Sequence, residues 1–579
     1  MDSGVFAPRS SEAVLLRVET TADRRAGGPY TVAAALARVL VPLAPAPVIA
    51  EHDLELRAVA PDLDVPVRRD SLAASADRSE RILVPAPQRT LRIANGFAAF
   101  VRDVLAALSE TLLLVVSELP EADPADREVL AALARRAPAF SLEEAAGPAP
   151  RPRADGPVRW YAGDAADHQD AAEWCLDRGC HHAVIELARL GLALEDPAGG
   201  SEVWWNLVHH LAVALGALER EEEAEAVLKA ARALTTDPSR HSTMAYTSAM
   251  LLTRHHLRER RDLDGALGWV NLAIALSDLL PDPENRAVKL GFDLNGKALI
   301  MARRGDLDAA MELVEESMRL AATLPPGAQP IHRLVLRVNR AQLRILTGDR
   351  DGALEDLDAA VAADPGYPDY YVDRGNLLFA AGRHDEALAD YNTALAVGPP
   401  FAEAHYNRSE VLFARGDLKG ALQDLDTALE LDPSLTDARA NRAGLLVALG
   451  EPELARSDVD EALAGDPGNP YLLCTLGQIE GAAGRYREAR AAFDRAVEQA
   501  PSLAVAWAGR GILAFENGRP EEAVADLGRA LELGEDPGLL FNRALAHRAA
   551  GRPDQAERDL RRAAELDPAD PEIRAALAD

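Results

Sequence analysis

The chain has 579 residues, 27% of them charged and 48% hydrophobic, with a formal net charge of −31. That length is too great for one core, so at least two structural regions are expected, and so acidic a field argues against nucleic acid as a partner. Three cysteines (Cys175, Cys180, Cys474) cannot make a disulfide framework, apolar runs such as Thr111 to Val116 are too short to span a bilayer, and the start MDSGVFAPRS lacks a signal-peptide pattern, which leaves a cytoplasmic protein with no membrane partner as the expectation.

Residues 1–150 alternate strand and helix signals. Glu12–Val18 (EAVLLRV) is strand-like and Thr31–Leu40 helix-like, Leu91–Leu108 carries a second helix pattern, and Leu112–Val116 is a buried-strand run. In SELPEADPADREVLAALARRA, Asp123-Pro124 is a helix-entry signal before an amphipathic helix. Strand, acidic loop and helix in that order predict a small α/β domain. The stretch Thr111–Ala137 resembles the Walker-B strand and following helix of the signal-transduction NTPases in large bacterial regulators, which often carry tetratricopeptide-like arrays behind the NTPase. That family's phosphate loop, GxxxxGK[ST], occurs nowhere in the chain, and Val116-Ser117-Glu118-Leu119 stands where consecutive acids are usual. The resemblance implies a truncated, degenerate NTPase-like domain in which Glu118 and Glu121 have no phosphate cradle beside them, so no nucleotide or other cofactor is expected. Pro148–Pro157 (PAPRPRADGP) reads as a linker.

Residues 151–330 show a weaker helical grammar. Gly179 with HHAVIELARLGLALEDP, Ala224 with Ala231 and Pro238, Ala266 with Ala273, and Gly305 with Ala310 suggest four divergent helical hairpins. Within them Tyr246, Thr253, Arg254, His255 and Asn295 put polar groups on helices expected to be apolar on one face. A buried polar network or a specific docking site would each produce that pattern. The pairs His181-His182, His209-His210 and His255-His256 cannot each hold one metal, because adjacent helical residues point about 100° apart. The spacing of Cys175, Cys180 and His181 fits no standard zinc pattern, so no metal is expected.

Residues 331–579 repeat. Small residues fall at Ala341, Gly375, Ser409, Ala443, Gly477, Gly511 and Ala544, and glycines at Gly348, Gly382, Gly416, Gly450, Gly484, Gly518 and Gly551. Alanine rows run from Ala353 to Ala556 and from Ala360 to Ala563 in the same register; every step is 34 residues except the last, which is 33. The small residues let two antiparallel helices approach, the glycine suits a left-handed turn after the first helix, and prolines such as Pro365, Pro399 and Pro433 close the second. These seven units resemble tetratricopeptide repeats. With the divergent hairpins they predict a mainly α chain: a right-handed superhelix of about eleven hairpins behind the small N-terminal α/β domain.

The resemblance implies that the first helix of each hairpin lines an inner groove. It maps the inward positions onto Gln342, Asp369, Asn376, Phe379, Glu403, Tyr406, Glu410, Phe413, Tyr471, Gln478, Phe515, Glu516, Phe541 and Arg548. Aromatics supply contact area at low entropy cost and acids select cationic partners, so the expected ligand is a protein or peptide segment with basic and apolar side chains. Packing between hairpins is the competing role for Phe379, Phe413 and Phe515. The recurring Asn-Arg pairs (Asn339-Arg340, Asn407-Arg408, Asn441-Arg442, Asn542-Arg543) follow the structural period and read as structural. No Gly-x-Ser-x-Gly, HExxH or dinucleotide fingerprint appears, so the chain is read as an adaptor and not an enzyme, the alternative being a signalling switch with a residual nucleotide site.

Overall fold

The computed structural model describes residues 15–67, 71–72, 86–145, 160–255, 257 and 260–578. The linker expected at 148–157 and the first three residues of the EAVLLRV strand lie outside them. By packing, the chain divides into two compact units, residues 1–407 and 408–579.

Unit one begins with three parallel strands, β1 (Leu15–Thr21), β2 (Thr111–Ser117) and β3 (Phe140–Glu144), in the order β1-β2-β3. Parallel neighbours need long crossovers, and helices supply them. Thr31–Leu40 and Ala86–Leu108 lie between β1 and β2, and Pro124–Arg136 lies between β2 and β3. The second of these starts five residues before the sequence pattern did. The middle strand is sandwiched, which is why it reads as an unbroken apolar run: Leu112, Leu114 and Val116 are fully buried against Leu36, Phe97, Phe100 and Leu133. This core does not stop at the sheet. It continues without a break into Ala171, Val184, Leu187, Trp204 and Leu211, so the α/β domain and the first helical hairpins share one interior.

The rest of the described chain is helical hairpins. Hairpin one is Ala165–Asp177 with His181–Leu192, two is Glu202–Ala217 with Glu221–Arg232, three is Pro238–Arg254 with Leu263–Asp278, and four is Pro283–Arg304 with Leu307–Thr323. Five is Pro330–Thr347 with Arg350–Ala363, six is Pro368–Ala380 with His384–Val397, and seven is Ala402–Ala414 with Leu418–Leu431. Eight is Thr436–Ala448 with Pro452–Gly465, nine is Pro470–Ala482 with Tyr486–Gln499, ten is Ala504–Glu516 with Pro520–Leu533, and eleven is Pro537–Ala549 with Pro553–Leu566. A last helix, Pro571–Ala578, buries Ile573 beneath the final hairpin. The fold is therefore mainly α, with stacked repeats and a small parallel sheet, as the sequence predicts.

Local chemistry explains the regularity. Asp237, Asp282 and Asp536 cap first helices that open with proline, and Asp306, Asp349 and Asp417 cap second helices. Gly348 and Gly382 adopt φ of 87° and 74°, a left-handed turn that a side chain would strain. At Gly375 an added Cβ would come within 2.8 Å of the Tyr391 ring, so the small row is what lets the two helices of hairpin six meet.

The arginines of the repeat have a structural partner. Arg374 forks onto Asp390 at 2.7–2.8 Å, and Arg340–Asp356, Arg408–Asp424, Arg442–Asp458, Arg510–Asp526 and Arg543–Asp559 repeat the arrangement. Each pair joins the two helices of its own hairpin. Hairpin nine carries Leu476 and Ala492 at the equivalent places, so both partners are replaced together. The asparagines bridge between hairpins: Asn407 Nδ2 donates to Asn376 Oδ1 at 3.0 Å, and Asn441 Nδ2 to Glu410 Oε1 at 3.1 Å.

Candidate functional site

Within each unit, consecutive first helices touch one another, as in hairpins two to three and three to four, and in eight to nine and nine to ten. The second helices chiefly meet the first helix that follows them. First helices therefore lie on the inside of the curve, which sets the surface on which a ligand would meet several repeats at once.

The expected groove residues separate by exposure. In unit two Phe413 is 56% exposed and Tyr471 62%, although Val411 beside the first and Leu472 and Leu473 beside the second are buried. Gln478, Glu516 and Arg548 are exposed as well, and Arg548 Nη2 reaches the Ala576 carbonyl at 2.6 Å. Phe515 and Phe541 are half-buried against neighbouring hairpins, which is a packing role. In unit one Gln342 is exposed, Tyr406 is half-buried, and Phe379 lies 5.4 Å from the His384 ring of its own hairpin. Asn376 accepts from both Tyr391 Oη, at 2.6 Å, and Asn407, which commits it to the scaffold.

Asp369 and Glu403 are different. Arg92, from the helix Ala86–Leu108 of the α/β domain, forks onto Asp369 with both contacts at 3.1 Å. Its guanidinium lies 3.9 Å from Glu403 and 4.2 Å from the centre of the Phe401 ring. Burial alone would lower the Arg92 pKa, but the charges of Asp369 and Glu403 outweigh it and hold the cation firmly. Asp373, one turn beyond Asp369, is pushed up to about 6 by burial and by the Asp369 charge. Sequence reasoning picked out the two acids and missed Arg92, Phe401 and Asp373. Arg92 lies 277 residues from its partner and belongs to no repeat, so no periodic signal could have found it.

The five residues of the divergent hairpins do not converge. Thr253 donates to its own helix at the Ala249 carbonyl, 2.6 Å away, and His255 Nδ1 accepts from the Leu257 amide at 3.2 Å. Asn295 accepts from Asn339 at 2.8 Å, Tyr246 packs where a Cβ on Gly296 would fall 2.6 Å away, and Arg254 is exposed. Beside them Ser242, Ser277 and Asp293 form a buried hydroxyl–carboxyl chain with links of 2.7 Å. The polar groups thus join hairpins three, four and five to one another.

In the α/β domain the acids of Thr111–Ala137 are all engaged. Thr21 Oγ1 donates to Glu118 at 2.7 Å, and Arg24 reaches the Glu121 carbonyl at 2.8 Å. Asp126 accepts from the amides of Val32 and Ala33, each at 3.0 Å, at the N-terminus of the helix that follows β1. That is where the dipole and free N–H groups of such a helix would otherwise receive an anion. The nearest approach to a phosphate-loop sequence, Gly291–Ala298 (GFDLNGKA), ends in alanine and lies inside the helix Pro283–Arg304. Cys175 and Cys180 are buried free thiols, and among the described residues no three His, Cys, Asp or Glu side chains group as metal ligands. Nor is any described helix long and apolar enough to cross a membrane.

Models of the tetratricopeptide repeat match residues 338–400, 372–436 and 474–539, with further matches at 412–472 and 537–579. The chain therefore carries tetratricopeptide repeats from hairpin five to its last helix. It is 35% identical over 92 residues to a tetratricopeptide repeat protein 36 homolog of Drosophila melanogaster, a match covering 16% of this chain and 44% of that one. The chain thus spans less than half the length of that curated relative. Among solved structures, a tetratricopeptide repeat protein of Parabacteroides merdae is 22% identical, covering 42% of this chain and 97% of that one with a TM-score of 0.38. YrrB, described as a TPR protein with an unusual peptide-binding site, is 24% identical, covering 34% of this chain and 97% of that one, with a TM-score of 0.28. It is the sequence models, and not these distant superpositions, that identify the repeat.

Proposed function

We propose that this chain is a protein-interaction scaffold that takes a polypeptide segment with basic and apolar side chains along the first helices of its repeats. The observation that carries the reading is the pair of large rings left out of the core, Phe413, on the same helix as Glu410, and Tyr471, one hairpin before the exposed Glu516. A repeat that buries its small residues so completely has no structural need for exposed aromatics on its inner face. Such rings make interface anchors, and the acids beside them choose cationic neighbours. The α/β domain serves as a structural head: Asp126 already fills the anion position of the first helix, which supports an adaptor over a nucleotide switch.

A random peptide-display library panned against the full chain tests this. Enriched peptides should carry arginine or lysine spaced with aromatic or aliphatic residues, and should bind Phe413→Ala and Tyr471→Ala more weakly than wild type. Enrichment of acidic peptides, or binding indifferent to both variants, removes the proposal.

A further inference from the structure

We infer that Asp369, Glu403 and Phe401 form a guanidinium-binding subsite, that Arg92 occupies it in the free chain as an internal ligand, and that an arginine side chain of a partner polypeptide binds there by displacing Arg92. The inference rests on the scaffold reading and names one subsite and one side chain for it.

The subsite is already built around its ligand. Two contacts of 3.1 Å from the two terminal nitrogens of Arg92 to the two oxygens of Asp369 are the fork that a carboxylate offers arginine and cannot offer lysine. The Phe401 ring, itself 1% exposed, gives the cation an aromatic face at 4.2 Å. Glu403 stands at the position of hairpin seven equivalent to Asp369 in hairpin six, 34 residues on. The inner face thus presents two acids of adjacent repeats to one cation.

The fit is nonetheless incomplete. Arg92 is 12% exposed, yet its Nε has no hydrogen-bond partner, and neither does the buried Tyr370 hydroxyl nearby. A buried donor left unpaired is costly, so an arginine free to choose its approach can do better than one fixed to a helix. Charge points the same way. Asp369 and Glu403 share a single guanidinium, and Asp373, raised by burial and by the Asp369 charge, stands one turn from the first of them.

The attachment also differs in kind at this end. Where the α/β domain meets hairpins one and two, the two share a continuous apolar core with Arg24 paired to Glu186 at 2.9 Å. At hairpins five to seven the contacts from the domain include the Arg92 group and Leu72, which touches the Leu334–Tyr370 cluster. The Arg92 side chain lies outside that apolar core, so a competitor can replace it without dismantling the core. The arrangement makes Arg92 a latch over one stretch of the inner face.

The test measures N-acetyl-arginine amide binding to the full chain by ligand-observed NMR or calorimetry, with N-acetyl-lysine amide as the control. Arg92→Ala should bind the arginine probe at least tenfold more tightly than wild type and prefer it to the lysine probe. Adding Asp369→Asn should abolish the gain. Far-UV circular dichroism checks the fold. Should Arg92→Ala prove unfolded, Arg92→Lys, which keeps the charge and loses the fork, must still show a gain over wild type. Equal affinity in wild type and the folded variant, or a gain that survives Asp369→Asn, overturns the inference. Because the probe needs no selected peptide, this failure is separate from that of the scaffold reading. Peptides that bind through Phe413 while Arg92→Ala changes nothing would sink the latch alone.

Discussion

Hairpins six and seven and hairpin eight carry an acid at the same helical position, Asp369, Glu403 and Asp437, yet the first two face a guanidinium and the third is exposed. The repeat places the acid, and a residue outside the repeat decides its neighbour. Unit two is governed by contacts made inside one hairpin or with the next. Unit one adds a second layer, in which a sheet domain reaches across the chain to close what the repeats present. A tetratricopeptide sequence therefore specifies where the face of the first helices lies more fully than whether that face is covered.

The sharpest way to break this comparison is to damage a hairpin from within. Arg442→Leu removes the forked partner of buried Asp458 and leaves it only the Arg439 guanidinium at 3.9 Å, and should cost about 3 kcal/mol in urea denaturation, since a poorly compensated buried charge is expensive. Arg442→Leu with Asp458→Ala should recover most of that loss, because hairpin nine already runs with Leu476 and Ala492 in those places. A double variant no more stable than the single would mean that the pair does more than hold two helices together.

The rows of small residues, glycines and prolines were legible because each recurs and each meets a fixed local need. The same logic made the seven regular hairpins readable from spacing, and a weaker form of it suggested the four before them. Exposure of the groove aromatics was not legible: Phe413 and Phe515 occupy related positions, and only the neighbours of each decide that one is open and the other half-buried. Arg92 was invisible for a different reason. Its sequence surroundings are those of an ordinary amphipathic helix, and its partner lies hundreds of residues away. The polar residues of hairpins three and four announced themselves as irregular, but their division among a self-capped threonine, an asparagine pair and a loop histidine needs the fold.

The open surface of unit two gives a second test. Phe413→Ala should weaken a selected peptide by about 2 kcal/mol while leaving the urea midpoint nearly unchanged, because an exposed anchor contributes to binding and little to the core. A large loss of stability instead would return Phe413 to a packing role and narrow the contrast between the units.

A third test reads the enclosed polar groups of unit one through pH. His332 is buried against Phe292, 4.0 Å between ring centroids, and burial lowers its pKa to about 4. A depressed histidine binds its proton less readily folded than unfolded, so its contribution is complete above about pH 6.5 and is lost as pH falls through 4. Relative to His332→Phe, wild type should lose roughly 2 kcal/mol of stability between pH 8 and pH 5. Asp293, raised by burial to about 6, acts in the opposite sense, its contribution fading as pH rises from about 4 through 6, which is why the variant difference and not the raw profile is the measurement.

The smallest effect expected is none at all, and it bears on how the sheet domain differs from an NTPase. A nucleotide phosphate at the helix Thr31–Leu40 would need the amides of Val32 and Ala33, and Asp126 holds both at 3.0 Å. Burial pushes the Asp126 carboxyl up to about 7, against the pull of those two amides, so the side chain has already given up hydration to sit there. An incoming phosphate would have to evict it, meet the nearby Asp123, and do so with no phosphate-loop lysine to balance the charge. Millimolar ATP with Mg²⁺ should therefore leave the melting temperature of the full chain unchanged. Asp126→Asn supplies the positive control for the reasoning. An amide oxygen can accept one of the two N–H groups while its NH₂ opposes the other, so the variant should lose about 1–3 kcal/mol of stability. If instead wild type shows a clear ATP-dependent rise in melting temperature that Asp126→Asn abolishes, the carboxylate belongs to a nucleotide site, and the contrast between a structural head and a binding array fails.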